Sequence, residues 1–175
     1  MSLEEIKDLK FDLKDPNLLD KIADSFNEKI DSLIIPNSLD LSTSIKSSFS
    51  KKAIFIGRIH PQKDIENMFY WLQNNPSWNL DIYGPIDDVK YHHQLINKSS
   101  YLIVKDRVKW CGYIPNEKLL KKISGYSILL MPSLVEGVSM TMMEVLSKGV
   151  PVISSNGVAN KDDLIKYNAG LIIND

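Results

Sequence analysis

Cysteine is nearly absent. Cys111 is the whole thiol complement of the 175 residues, so no disulfide can form within the chain and a zinc knuckle has too few ligands. A reducing, cytoplasmic setting is expected. Charge of one sign is scarce as well: 21 Lys and Arg stand against 22 Asp and Glu, a formal net charge of −1. That balance argues against a nucleic-acid partner and against a strongly basic membrane patch. No apolar run approaches the roughly 18 residues of a membrane-spanning helix. The start, Met1-Ser2-Leu3-Glu4-Glu5, has neither the basic region nor the apolar core of a signal peptide. Neither a G-x-x-x-x-G-K-[ST] loop nor a G-x-S-x-G elbow occurs. His92 and His93 have no metal partner at useful spacing and read as surface residues, and no metal or cofactor site is expected. There is no strict repeat and no low-complexity tail. What remains is an ordinary globular balance, 43% hydrophobic and 25% charged, long enough for one domain with a real core.

Residues 1–33 read as a helical segment and connector, with Leu18, Leu19, Ile22, Phe26 and Ile30 at helical spacing. Leu33-Ile34-Ile35 is a short strand closed by Pro36-Asn37, and residues 34–175 form the main domain. Residues 42–50 carry six Ser or Thr in nine and read as a loop. From there the pattern is regular. Ala53 to Ile56, Leu80 to Tyr83, Val108 to Cys111, Ile128 to Met131, Val150 to Ser154 and Leu171 to Ile173 read as strands. Helices are expected from about Ile65, over Asp87 to Asn97, over Glu117 to Ile123 capped by Asn116, over the Met-rich run near 140–148, and over Asp162 to Tyr167 capped by Asn160. Short apolar strands alternating with helices predict an α/β fold, a doubly wound, Rossmann-like parallel sheet of six strands. Ligands of such sheets sit outside the carboxyl ends of the strands. Gly57-Arg58, Gly84, Gly112-Tyr113 and Ser133 through Glu136 all follow predicted strands, and should share one crevice.

The stretch from Pro132 to Leu146 carries the most chemistry. Its helix, with Met140, Met142, Met143, Val145 and Leu146, is apolar on almost every side and is expected to be buried. It nevertheless holds Glu144, and a buried carboxylate is costly unless something bonds to it. Glu136 and Gly137 stand just before the helix start, where free N–H groups and the positive end of the dipole suit an anion. Upstream, Gly57 lets a ligand approach the backbone, Arg58 can fork two oxygens of a diphosphate, and Lys63 adds a point charge. His60 stands between these cations, within reach of a phosphate. Cys111 reads as a buried strand residue.

Glu136 and Glu144, eight positions apart in a strand–loop–helix turn between Ser133 and Gly149-Val150-Pro151, resemble the E-x7-E segment of retaining glycosyltransferases of the GT-B fold, family 4. Ile35-Pro36-Asn37-Ser38-Leu39-Asp40 is similar to the I-P-N-G-V-D entry of their second domain, with Ser38 in place of Gly. The resemblance covers about residues 33–175 and implies the C-terminal, donor-binding half of such an enzyme. It implies that Glu144 accepts hydrogen bonds from the donor ribose, and that Glu136 lies beside the donor sugar. Ser133 and the backbone of Gly137, Val138, Ser139 and Met140 would complete the sugar and phosphate contacts. Arg58 and Lys63 would bind the diphosphate, and Gly57 and Gly84 would line the loops around it. The backbone of Gly112, Tyr113 and Ile114 would read the base. Here the family's K-G is Lys63-Asp64, its Gly-Phe-Gly is Gly137-Val138-Ser139, and its second loop glycine is Pro85-Ile86.

The implied reaction is hexosyl transfer with retention from a UDP- or GDP-linked sugar to a glycan or lipid-linked acceptor, without metal. Glu136, Arg58 and Lys63 would be the catalytic set. An N-terminal GT-B domain would complete the enzyme and bring it to the inner membrane face. This chain alone would then be inactive in transfer and, through apolar surface facing that domain, able to self-associate. Other readings stay open on the residues: a surface Arg and Lys in a loop, a helix-start glutamate stabilised by the dipole alone (~0.3–1 kcal/mol), and a tight turn at Gly112 with a core tyrosine. For the whole chain the alternatives are a non-catalytic nucleotide-sugar-binding module and a GT-B epimerase or phosphorylase.

Overall fold

The computed structural model describes residues 50–102 and 104–173. The helical segment and short strand expected before residue 37, and the Ile35–Asp40 similarity, lie outside these. Six strands alternate with five helices: β1 (Lys52–Ile56), α1 (Ile65–Asn74), β2 (Asn79–Tyr83), α2 (Val89–Tyr101), β3 (Val108–Gly112), α3 (Asn116–Ile123), β4 (Ile128–Met131), α4 (Met140–Ser147), β5 (Val152–Ser155), α5 (Asp162–Lys166) and β6 (Gly170–Ile173). All pairings are parallel, in the order β3-β2-β1-β4-β5-β6. The expected six-stranded, doubly wound sheet is therefore the fold.

Strand alternation builds two cores. Ala53 and Phe55 of β1 face one way, into a layer with Leu80, Ile82, Met68, Phe69, Leu72 and Leu95, under α1 and α2. Ile54 faces the other way, with Leu129, Met131, Leu119, Ile123, Met142, Val145 and Leu164, under α3, α4 and α5. Successive crossovers on one side carry the chain outward from β1 to β3, and those on the other carry it from β4 to β6. The direction reverses between β1 and β4. That is the topological switch point, where loops diverge and leave a crevice at the carboxyl ends of the strands.

Element ends show where local chemistry decides. The helix expected over Asp87 to Asn97 starts at Val89, because the Asp88 carboxylate accepts the Tyr91 N–H, and it runs on to Tyr101. Asn116 is not a cap. Pro115 holds that position, and Asn116 is the first helical residue. Asn160 is not a side-chain cap either; Lys161 precedes α5 and makes no such bond. In both cases the amide is engaged by another element, as described below. The helix expected to be buried all round, α4, buries only Met142 and Val145 completely, and Met140 is 36% exposed. Cys111 is half-buried, since β3 is an edge strand with one neighbour. His92 is no free surface residue: its ring meets the edge of Trp110 at 4.7 Å.

Candidate active site

The loops after β1 and β2 are knitted together. Gly57 N–H donates to Tyr83 O, Ile59 N–H to Pro85 O, and Asp88 N–H to Ile59 O. Gly84, at φ 145°, is where they cross: a Cβ there would lie 1.8 Å from Gly57 O. A glycine is obligatory at that crossing, for packing of backbone on backbone and not for ligand approach. The loop after β4 is fixed from two sides. Leu134 N–H donates to Gln62 O in the turn after β1, and Ser155 Oγ donates to Ser133 O at 2.5 Å. Glu136 bridges to Val158, donating its N–H to Gly157 O and accepting from Ala159 N–H. A Cβ on Gly157 would fall 2.2 Å from Leu134 O and 2.3 Å from Ser133 O.

Two adjoining hollows result, sharing Ile56, Gly57 and Arg58. The larger, of about 280 Å³, lies over β1, β2 and β3, and Tyr83, Gly84, Tyr113, Ile114 and Asn116 line it. The smaller, of about 190 Å³, lies at the switch point, with Lys63, Ser133, Glu136, Ser139 and Thr141. So Gly57, Arg58, Lys63, Gly84, Tyr113, Ile114, Ser133, Glu136 and Ser139 converge, from four strand ends. Gly112, at φ 66°, turns the chain beside them and accepts from Gly84 N–H. Gly137, Val138 and Met140 stand on the rim and do not line either hollow. Tyr113 is 73% exposed, so it is no core tyrosine.

Neither cation stands free. Arg58 Nη1 meets Asp87 Oδ2 at 2.6 Å on an open surface. Lys63 Nζ is bonded to Glu136 Oε2, both side chains being largely buried, and Ser133 Oγ approaches the same oxygen at 3.4 Å. The crevice therefore carries two internal ion pairs, and an incoming anion must compete with Asp87 and Glu136. His60 serves the turn, its Nδ1 accepting the Gln62 N–H at 3.3 Å. At the start of α4 the Ser139 hydroxyl caps the helix by accepting the Met142 N–H, while its own N–H is given to Asn160 Oδ1 at 3.0 Å. Of the four backbone donors expected there, Ser139 is thus already engaged, which leaves Gly137, Val138 and Met140. Glu144 is half-buried and lines neither hollow directly. Its Oε1 accepts from Asn116 Nδ2 at 2.9 Å, and Asn116 lines the larger hollow.

A hydrogen-bonded cluster adjoins the larger hollow through Tyr83. Tyr126 OH donates to Asp81 Oδ2 at 2.6 Å and meets Tyr83 OH at 3.1 Å. Burial raises the Tyr83 hydroxyl above its ordinary value. Burial, reinforced by the bond to Asp81, pushes Tyr126 far above it. Burial raises the Cys111 thiol too. Among the described residues no group of three His, Cys, Asp or Glu is placed to hold a metal, and no helix is long and apolar enough to cross a membrane. Sequence reasoning passed over Asp87, Ser155 and Gly157. The signal was available in the rule that every loop after a parallel strand belongs to the crevice.

Residues 43–175 match the family model described as Glycosyl transferases group 1. The chain belongs to that family. Its fold is the Rossmann-like C-terminal domain of a GT-B group 1 glycosyltransferase. The lipopolysaccharide 1,6-galactosyltransferase of Salmonella typhimurium is 31% identical over 118 residues, 65% of this chain and 32% of that protein. Among solved structures, the lipopolysaccharide outer core galactosyltransferase WaaB, in its apo form, superposes with a TM-score of 0.66 at 26% identity, over 81% of this chain and 42% of its own. The C-terminal domain of the group 1 family protein LpcC from Francisella tularensis gives 0.60 at 17% identity, over 74% of this chain and 69% of that domain. This group 1 chain spans about a third of the length of the curated relatives it matches.

Proposed function

We propose that this chain is the donor-binding half of a retaining hexosyltransferase. It would hold a nucleoside-diphosphate sugar while an N-terminal domain presents a glycan or lipid-linked acceptor. The observation that carries the reading is the convergence of Arg58, Lys63, Ser133 and Glu136 at the switch point, next to a second hollow bounded by Gly84, Tyr113, Ile114 and Asn116. One hollow suits phosphates and a sugar. The other suits a nucleoside, with Tyr113 as an exposed ring and Glu144 reached through Asn116. The galactosyltransferase relatives support a hexose donor and a bacterial glycan acceptor, and so a cytoplasmic enzyme working at the inner membrane face. The missing N-terminal domain is a proposal that rests on the length of those relatives.

In this reading the diphosphate draws Lys63 away from Glu136 and Arg58 away from Asp87. Charge-assisted bonds of this kind are worth ~1.5–3 kcal/mol each. They count most as negative charge grows on the leaving nucleoside diphosphate. Glu136, released, turns to the donor sugar, where a carboxylate steadies positive charge at the anomeric carbon. The N–H groups of Gly137, Val138 and Met140 at the start of α4 add further donors. With Arg58, Lys63 and this helix start as counter-charge, the reading calls for no metal. The test is calorimetric titration of the chain with UDP, GDP and ADP in the absence of divalent ions, repeated on Glu144→Ala. Binding of one nucleotide, lost in the variant, is expected. Tight binding that survives the substitution would remove Glu144 from the site, and binding of none would overturn the donor reading.

A further inference from the structure

Asn116 has no evident structural task. It is exposed, it packs into neither core, and the cap position it was expected to fill is held by Pro115. Its amide instead reaches from α3 to α4 and donates from Nδ2 to Glu144 Oε1 at 2.9 Å. An exposed bond of this type adds little to folding stability. It does fix the plane of a carboxylate that otherwise rotates about three side-chain torsions. The same residue lines the larger hollow beside Tyr113 and Ile114. Among the described residues, the side chain that bonds Glu144 thus stands on the wall of the proposed nucleoside hollow.

We propose that Asn116 is a positioning residue: by holding Oε1 of Glu144 it presents Oε2 to the two ribose hydroxyls, and so sets the preference of this site for ribonucleotides over deoxyribonucleotides. This rests on the assignment of Glu144 to the donor ribose made above. A carboxylate accepts two hydroxyl donors well only when its plane is set. Losing the orienting bond should therefore weaken contacts to the hydroxyls and leave contacts to base and phosphate unchanged.

The experiment compares UDP, GDP and ADP with their 2′-deoxy counterparts by equilibrium binding. The unaltered chain is expected to favour the ribonucleotide by about tenfold, the scale of one hydrogen bond to a charged group. Asn116→Ala is expected to lower ribonucleotide affinity about five- to tenfold and to leave the deoxynucleotide within about twofold, so that the preference collapses. Asn116→Asp keeps the size and an acceptable helix start but sets a second carboxylate against Glu144. Its ribonucleotide affinity should fall at pH 8 and recover toward pH 5, where the two carboxylates share a proton. An Asn116→Ala protein that keeps the native preference, or an Asn116→Asp protein that follows the native pH profile, overturns this inference and leaves the nucleotide reading standing. If the unaltered chain binds ribo- and deoxynucleotides equally, the ribose assignment of Glu144 fails and this one with it. Binding of no nucleotide at all overturns both at their common root.

Discussion

Lys63 and Glu136 are mutual partners before any ligand arrives, and that pairing is measurable one residue at a time. Among the described residues, Lys63→Met leaves the Glu136 carboxylate with Ser133 alone, and in the proposed reading it removes one phosphate contact. The affinity for a nucleoside diphosphate is then expected to fall by about tenfold or more, toward that of the monophosphate, whose own affinity changes little. Paired calorimetric titrations of di- and monophosphate read the difference directly. Equal losses for both would mean that Lys63 does not meet the outer phosphate. A second residue-scale effect concerns pH. Burial against Trp110, with a smaller contribution from neighbouring His93, holds the His92 imidazole below its ordinary value. The folded chain thus takes up a proton less readily than the unfolded chain. This contribution to stability is complete above the ordinary histidine pKa, about 6.5, and is lost as pH falls below it toward the lowered folded value. Thermal melts between pH 7.5 and 5 should show a falling midpoint, and His92→Gln should flatten that part of the slope.

Among the elements, the loop after β5 governs the site from behind. Gly157 lies against Ser133 O and Leu134 O with no room for a methyl group. Gly157→Ala is expected to cost about 1–3 kcal/mol, the range for forced over-packing. It should also displace the segment carrying Ser133 and Glu136, so that nucleotide affinity drops with stability. Urea unfolding and calorimetry on one preparation test both, and Gly125→Ala, whose nearest contact is 3.3 Å, is the milder comparison. The elements themselves were largely legible in the sequence. Ala53–Ile56 and Ile128–Met131 are short, continuous apolar runs ended by a turn residue, which is what a strand covered on both faces requires. Cross-element chemistry was not legible. Asparagine at a helix start signals a cap, yet Asn116 and Asn160 both spend their amides on another element, Glu144 in one case and Ser139 in the other. Asp87 pairs with Arg58, and Lys63 with Glu136, only because the crossovers bring their loops to the same edge of the sheet. Periodicity reports which way a residue faces along its own element and carries no information about what waits on the next one.

For the whole molecule, the rim of the crevice is unusually apolar. Leu134 is 53% exposed, Val135 71% and Val138 57%, all on the loop that also holds Glu136. An exposed apolar patch of this kind is suited to a contact with another surface. In the proposed enzyme it would face the N-terminal domain, and without that domain it remains open. The chain alone is therefore expected to form reversible dimers at high concentration. Substituting Val135 and Val138 by Lys should disperse them without lowering the melting midpoint. Sedimentation velocity distinguishes the outcomes, and a monomer at every concentration would count against this use of the patch.

The order of the strands has a further consequence, for the time at which the molecule can become itself. β1 is the first described strand to leave the ribosome, and it sits in the middle of the sheet. Ala53 finds one neighbour soon, in Leu80, but its other neighbour, Ile128, is made only after two more helices and a strand. Until then one edge of β1 stays unpaired, beside apolar side chains meant for the interior. Parallel sheets built from such distant pairings fold slowly and expose sticky edges on the way. The switch between β1 and β4 that opens the crevice is thus also the strand pairing that joins the most distant parts of the described chain. The candidate site and the most distant strand pairing occupy the same place in the protein.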